Sequence, residues 1–135
     1  MRVGIGYDIH RLEQGRRMVL GGVEIPFDKG PLGHSDGDAL LHAICDAILG
    51  SLCLGDIGTL FPDTDPRYKG ISSSELLAEA GSLAVKEGYE VSNLDCVVIA
   101  ERPRIAPHRE QMAASISRVL GLEKGAVSVK GKTAE

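Results

Sequence analysis

Hydrophobic and polar positions alternate from the first residues of the chain. Across Arg2-Val-Gly-Ile-Gly-Tyr-Asp-Ile-His10, the side chains Val3, Ile5, Tyr7 and Ile9 fall on one face of an extended strand, and Gly4, Gly6, Asp8 and His10 on the other. The apolar face is expected to be the core face. The other face pairs two residues without side chains with two strong metal ligands. Glycine inside a strand weakens it and often marks where a ligand or another backbone comes close.

The pattern then changes several times. Residues 17–27 read as strand, Gly-Gly turn or bulge, strand. Residues 30–37 read as loop. A helix is expected from an N-cap at Ser35 or Asp36 through about Ser51, with Leu40, Ile44, Ile48 and Leu52 as its apolar stripe and Asp38, His42 and Asp46 roughly opposite. Residues 55–70 are turn-rich. Ser72-Ser-Ser-Glu75 is a capping-box pattern that opens a second long helix ending near Gly88. The run Cys96-Val-Val-Ile-Ala100 predicts a buried strand, and prolines at 103 and 107 a loop. A third helix starts near Pro107 or His108 and stops at Gly121, and residues 126–130 form a last strand. The order is roughly ββ-α-α-β-α-β, an α+β class with helices packed on one face of a mixed β-sheet.

Composition narrows the function. With 135 residues the chain is expected to be one domain with a core of its own. Fifteen basic against nineteen acidic residues leave a net charge of −4, which argues against a nucleic-acid binder relying on bulk charge. No apolar run approaches membrane-spanning length and no targeting segment is evident, so a cytoplasmic location is expected. Cys45, Cys53 and Cys96 are odd in number, lack metal-type spacing and read as reduced core residues.

The candidate chemistry starts from Asp8 and His10, two ligands on one strand. A mononuclear catalytic zinc site takes three protein ligands and keeps a position open. Of His34, His42 and His108, the best third ligand is His42, on the polar stripe of a helix whose other face is core. Asp38 and Asp46, at i−4 and i+4, are in place to hold its second ring nitrogen. The plainer reading makes Asp8 a turn residue and the histidines surface residues. His34-Ser-Asp-Gly-Asp38 is either an ordinary helix cap or, with helix N–H groups behind it, a phosphate site. Gly55-Asp-Ile-Gly58 and Phe61-Pro-Asp-Thr-Asp-Pro66 are either plain turns or turns presenting carboxylates to substrate hydroxyls. Gly4-x-Gly6 lacks the third glycine of a dinucleotide fingerprint, because Ile9 stands there, and no G-x-S-x-G elbow exists.

Taken in order over the whole chain, Asp8-x-His10, His34-Ser-Asp-Gly-Asp38 with His42, Asp56-Ile-Gly58, Phe61-Pro-Asp-Thr-Asp65 and the closing 130–135 segment resemble the 2-C-methyl-D-erythritol 2,4-cyclodiphosphate synthase family. The resemblance implies a homotrimer of α+β subunits with active sites between adjacent subunits. It implies a phosphorus–oxygen lyase of the non-mevalonate isoprenoid pathway, which converts 4-diphosphocytidyl-2-C-methyl-D-erythritol 2-phosphate into the 2,4-cyclodiphosphate and releases CMP. Asp8, His10 and His42 then match zinc ligands, and Glu135 a ligand to a second divalent ion, magnesium or manganese, on the diphosphate. His34 and Thr133 match catalytic positions, His34 and Ser35 phosphate contacts. Asp56, Ile57, Gly58, Phe61, Pro62, Asp63, Thr64 and Asp65 match the methylerythritol pocket. Ala100, Glu101, Arg102, Pro103, Arg104, Ile105 and Ala106 match a neighbouring subunit's loop around the cytidine end. Lys132, Thr133, Ala134 and Glu135 match substrate contacts that close the site. The family continues past this point with a Gly-rich turn and a strand that the 135 residues do not include. Either that part lies beyond these residues or the copy is truncated, and a truncated copy would expose a sheet edge and put the trimer and the second-metal site in question.

Two further readings stand beside it. One is another enzyme with a two-histidine, one-carboxylate site, such as a phosphohydrolase or a non-haem iron oxygenase. The other is a metal-stabilised oligomeric binding protein without activity.

Overall fold

The computed structural model describes residues 1–135, and its first eleven residues join no sheet. They run instead along α1 (Ala39–Ser51), and this reverses the expected burial. Val3, Ile5, Tyr7 and Ile9 are 84%, 91%, 74% and 75% exposed, so the apolar face is not the core face. The cause is steric. A Cβ on Gly4 would stand 1.8 Å from the Ala47 carbonyl oxygen, and one on Gly6 1.7 Å from that of Ala43. Ala43 and Ala47 lie one helical turn apart with small side chains. The two backbones therefore touch, a contact that only glycine permits. The same face carries Asp8 and His10 onward to His42.

The apolar stripe of α1 is as expected: Leu40, Ile44 and Ile48 are buried, together with Leu41, Cys45 and Leu49. The polar stripe is not a solvated one. Asp38 is fully buried and His42 nearly so. The N-cap is Asp38 rather than Ser35 or Asp36, and its carboxylate accepts the Leu41 N–H at 3.1 Å. It also accepts the N–H groups of Gly21 and Gly22, at 2.9 and 2.7 Å. Those glycines (φ +61° and +73°) form the two-residue turn between β2 (Met18–Leu20) and β3 (Val23–Ile25), where a tight hairpin needs positive φ at both places. One carboxylate thus closes a hairpin turn and starts a helix. Burial pushes the Asp38 carboxyl upward, against the pull of its three N–H donors.

The single mixed sheet expected from the sequence is three two-stranded pieces. β1 (Leu12–Gln14) pairs antiparallel with β4 (Lys29–Pro31), and β2 pairs antiparallel with β3. β5 (Leu94–Ile99) pairs in parallel with β6 (Val127–Lys132), in register Leu94 to Val127. The first two pairs have strands of three residues, at the short end of the usual range. Between β5 and β6 runs α4 (Arg109–Leu120), which packs on β6 and completes a β-α-β crossover. α3 (Ser73–Lys86) packs against α1 and α4. It ends where Gly88 turns left-handed, and α4 ends the same way at Gly121, as their glycines foretold. The short α2 (Ile57–Leu60) follows α1.

One apolar core runs through these elements, from Met18 and Ile25 through Leu41, Leu49 and Leu77 to Met112, Ile116 and Val129. Cys45 and Cys96 belong to it, but Cys53 is exposed, just beyond α1, with φ +58°. It is not a core residue. No helix is long and apolar enough to cross a membrane.

Candidate metal centre

Asp8, His10 and His42 meet. Asp8 Oδ2 lies 2.8 Å from His10 Nε2 and 3.0 Å from His42 Nδ1, and the two ring nitrogens are 3.2 Å apart. Tetrahedral zinc with bonds of about 2.0–2.1 Å separates neighbouring ligand atoms by about 3.3 Å, so the spacing is close to that of a metal triad. His42 is buried, and Asp8 and His10 are partly open to solvent.

The outer bonds of the two rings decide their chemistry. His10 Nδ1 is 2.8 Å from the Leu32 carbonyl oxygen. A carbonyl only accepts, so Nδ1 carries the hydrogen and Nε2 is bare. His42 Nε2 is 2.8 Å from Ser73 Oγ, which donates its own hydrogen to Asp36. Nε2 therefore donates to Ser73, and Nδ1 is bare. With neutral rings, three lone-pair atoms face one another at 2.8–3.2 Å. Such a set holds together around a shared cation, and the residues fit a divalent metal. When the rings are protonated instead, half-burial still pushes the Asp8 carboxyl upward, but the hydrogen bond from protonated His42, the charges of the two imidazolium rings and the Ile9 N–H more than offset this and hold it below the usual carboxylate range.

The expected partners of His42 are engaged elsewhere. Asp38 serves the hairpin turn and the helix start. Asp46 accepts the Ile57 N–H at 2.9 Å and so fixes the beginning of α2. Sequence reasoning missed Ser73 and Asp36 in this role, because Ser73 looked like one member of a helix cap. Ser35 is beside the triad as expected, but its hydroxyl lies 3.1 Å from His42 Nε2 and accepts the Gly37 N–H at 3.2 Å. His34 lies in the same loop, exposed, and its carbonyl accepts the Gly70 N–H.

The remaining candidates form two further groups. In the first, Asp56 caps α2, accepting the Thr59 N–H and hydroxyl, both at 2.8 Å; these bonds hold its carboxyl below the usual range. Phe61 packs edge-on against Tyr68, and Asp65 is gripped by Arg67, whose guanidinium lowers its carboxyl. Asp63 and Thr64 are exposed between them. The Asp46–Ile57 bond ties this turn to α1, one helical turn from His42. In the second group, Ala100 N–H bonds to the Lys132 carbonyl at 2.9 Å, joining residues 100–106 to residues 132–135 at one end of the β5–β6 pair. Pro103 and Ile105 are buried there, while Glu101, Arg102, Arg104 and Ala106 are exposed. Thr133 donates to Glu135. No hydrogen bond links this second group to the triad within the chain.

Fold and triad together define a small α+β protein with a two-histidine, one-carboxylate triad that fits a divalent metal. A model of the YgbB family matches residues 1–135, and the chain belongs to that family. The 2-C-methyl-D-erythritol 2,4-cyclodiphosphate synthase of Desulfatibacillum aliphaticivorans is 58% identical over all of this chain and 87% of its own length. That of Syntrophomonas wolfei subsp. wolfei is also 58% identical, over all of this chain and 86% of its own. A solved 2C-methyl-D-erythritol-2,4-cyclodiphosphate synthase in its CDP-bound form superimposes with a TM-score of 0.93 at 44% identity, covering 98% of this chain and 89% of that one. The Plasmodium falciparum IspF CDP complex gives a TM-score of 0.85 at 42% identity, over 99% of this chain and 82% of that one.

Proposed function

We propose that the chain cyclises 4-diphosphocytidyl-2-C-methyl-D-erythritol 2-phosphate to 2-C-methyl-D-erythritol 2,4-cyclodiphosphate and releases CMP, as a cytoplasmic enzyme of the non-mevalonate isoprenoid pathway. The observation that carries this reading is the convergence of Asp8 Oδ2, His10 Nε2 and His42 Nδ1 as three bare acceptors, in a chain whose relatives bear that enzyme's name.

The reaction is an intramolecular phosphoryl transfer. The 2-phosphate oxygen attacks the β-phosphorus, the bond from that phosphorus to the CMP oxygen breaks, and the nucleophile is already anionic. No general base is required, and positioning with charge neutralisation does most of the work. Asp8, His10 and His42 would hold a zinc ion, and the chemistry it would supply is Lewis acidity toward the diphosphate. The Ser35 hydroxyl lies next to the triad, and we assign it and its chain neighbour His34 to the phosphate oxygens, which need donors. Asp56, with Ile57 and Gly58 fixed by Asp46, and the turn from Phe61 and Pro62 through Asp63, Thr64 and Asp65 present carboxylates and backbone groups to the polyol hydroxyls.

The loop of Ala100, Glu101, Arg102, Pro103, Arg104, Ile105 and Ala106, with Lys132, Thr133, Ala134 and Glu135, forms a separate group in the chain. We assign it to the cytidine and diphosphate end of a neighbouring subunit's site, where Glu135 would hold magnesium or manganese and Thr133, released from its bond to Glu135, would donate to the transferring phosphoryl group. The exposed Val3, Ile5, Tyr7 and Ile9 support assembly of copies into a homotrimer, since a contiguous apolar strip of this kind favours a covered surface.

The test is direct. Incubation with the cytidylyl substrate, zinc and magnesium should yield CMP and the cyclic product in equal amounts by phosphorus NMR. A linear hydrolysis product alone would refute the reading. Light scattering should give three times the mass of one chain.

A further inference from the structure

Ser73 has an unusual position for a residue with no duty in its own helix. It is the first residue of α3 and fully buried, yet the cap of that helix is made by Ser72, which accepts the Ser74 N–H at 3.3 Å. The Ser73 side chain points away from α3 to His42 Nε2, 2.8 Å distant. Behind it stands Asp36, which accepts the Ser73 hydroxyl on Oδ1 and the Ser73 N–H on Oδ2 at 3.0 Å. Asp36 is itself steadied by the Asp38 N–H at 3.1 Å.

This order of donors has a direction. A hydroxyl has a single hydrogen, and an ionised carboxylate can only accept it. With that hydrogen committed to Asp36, Ser73 can offer His42 only a lone pair, so the ring must hold its hydrogen on Nε2. Ser35 cannot impose the same choice. Its oxygen is 3.1 Å from Nε2, but its hydrogen is committed to no carboxylate and is free to point at the ring. With Ser35 alone, His42 could hold its hydrogen on Nδ1 and lose the lone pair that faces Asp8 and His10.

We propose that Asp36 and Ser73 form a positioning relay that fixes the tautomer and tilt of His42, and so sets the metal affinity of a site to which α3 contributes no ligand. The inference rests on the metal reading of Asp8, His10 and His42 given above. Partners of this kind behind a ligating histidine change metal affinity about 10–100-fold when removed.

Two measurements on the full chain test it. In the first, zinc affinity is read by competition with a chelating dye. Ser73→Ala should weaken it about 10–100-fold and Ser73→Thr, which keeps the hydroxyl, should restore most of it. Asp36→Asn should also bind zinc more weakly than the unaltered chain. A Ser73→Ala chain that is folded by circular dichroism and keeps full affinity overturns the relay. In the second, long-range proton–nitrogen NMR of the 15N-histidine-labelled chain near pH 8, above the ordinary histidine range, reads the tautomer directly. His42 should carry its hydrogen on Nε2 with or without zinc, become mixed in Ser73→Ala and stay unchanged in Ser35→Ala. Finding the hydrogen on Nδ1 in the unaltered chain overturns the proposal even if every variant at Ser73 fails to fold. A chain that binds no zinc refutes the metal reading instead, and the NMR spectrum still decides the relay.

Discussion

Gly6 and Ala43 meet backbone to backbone: a Cβ built on Gly6 would lie 1.7 Å from the Ala43 carbonyl oxygen. Because Asp8 and His10 follow on the same face, this contact sets how far two of the three side chains of the triad reach. Neither backbone can give way cheaply, since Ala43 sits in the middle of α1 and its carbonyl is part of the helix.

Gly6→Ala should therefore lift the segment off α1. Forcing extra atoms into a packed contact costs about 1–3 kcal/mol. The larger effect falls on the metal, because Asp8 and His10 move away from His42. Zinc affinity should fall about tenfold or more, as measured by the same chelator competition. A Gly6→Ala chain with unchanged stability and zinc affinity would contradict the close approach.

Asp38→Ala should be among the most damaging polar substitutions in the chain. It strips an N-cap, a loss of about 1 kcal/mol, and leaves the buried Gly21 N–H without an acceptor, at about 1–3 kcal/mol, and the part-buried Gly22 N–H at less. A loss of about 3 kcal/mol and a Tm lower by on the order of 10 °C are expected, read by thermal and urea unfolding. A fall of only a degree or two would mean that the hairpin turn finds other acceptors.

The acid limb of stability should report Asp8. Its carboxyl is held below the usual carboxylate range in the folded chain, so folding favours its ionised form. That contribution is complete above the unfolded value, about pH 4, and is lost as the pH falls through the lower folded value. Urea midpoints of the metal-free chain should drop between about pH 5 and pH 2, and drop less in Asp8→Asn. Equal slopes in the two proteins would show that Asp8 is not held ionised.

Thiol labelling separates the cysteines. Burial raises the Cys45 thiol to about 12 and that of Cys96 to about 11, while Cys53 is exposed. The thiolate is the reactive form. One thiol per native chain should react quickly with a disulfide reagent near pH 8, and three after unfolding in guanidinium. Fast reaction of three in the native chain would show that the α1 core is open.

Much of this was legible in the chain. The apolar spacing of Leu40, Ile44 and Ile48 places α1, the glycines at 88 and 121 end their helices, and Asp8, His10 and His42 do converge. Other features depend on what stands opposite a residue, which no local pattern records. Alternation along residues 2–10 separates two faces but does not say which one meets a neighbour. Here the glycines chose the inner face, because α1 approaches too closely for Val3 or Ile5. The second partner of His42 was sought at i−4 and i+4 on its own helix and came instead from Ser73, on α3. The expected single sheet is three separate pairs, and alternation within a strand does not record which other strand its edge meets. Asp38 was read as a member of a polar stripe, and its burial followed from two glycine N–H groups seventeen and sixteen residues away.

That carboxylate has a consequence for motion. Opening the β2–β3 turn uncaps the first turn of α1, and fraying that turn releases the hairpin, so the two cannot loosen separately. They form one cooperative unit of local unfolding, whose amides at Gly21, Gly22 and Leu41 exchange with solvent in concert. The His42 N–H bonds to the carbonyl of Asp38 itself, at 3.0 Å. His42 is thereby tied, through Asp38, to a hairpin that contributes no residue to the triad.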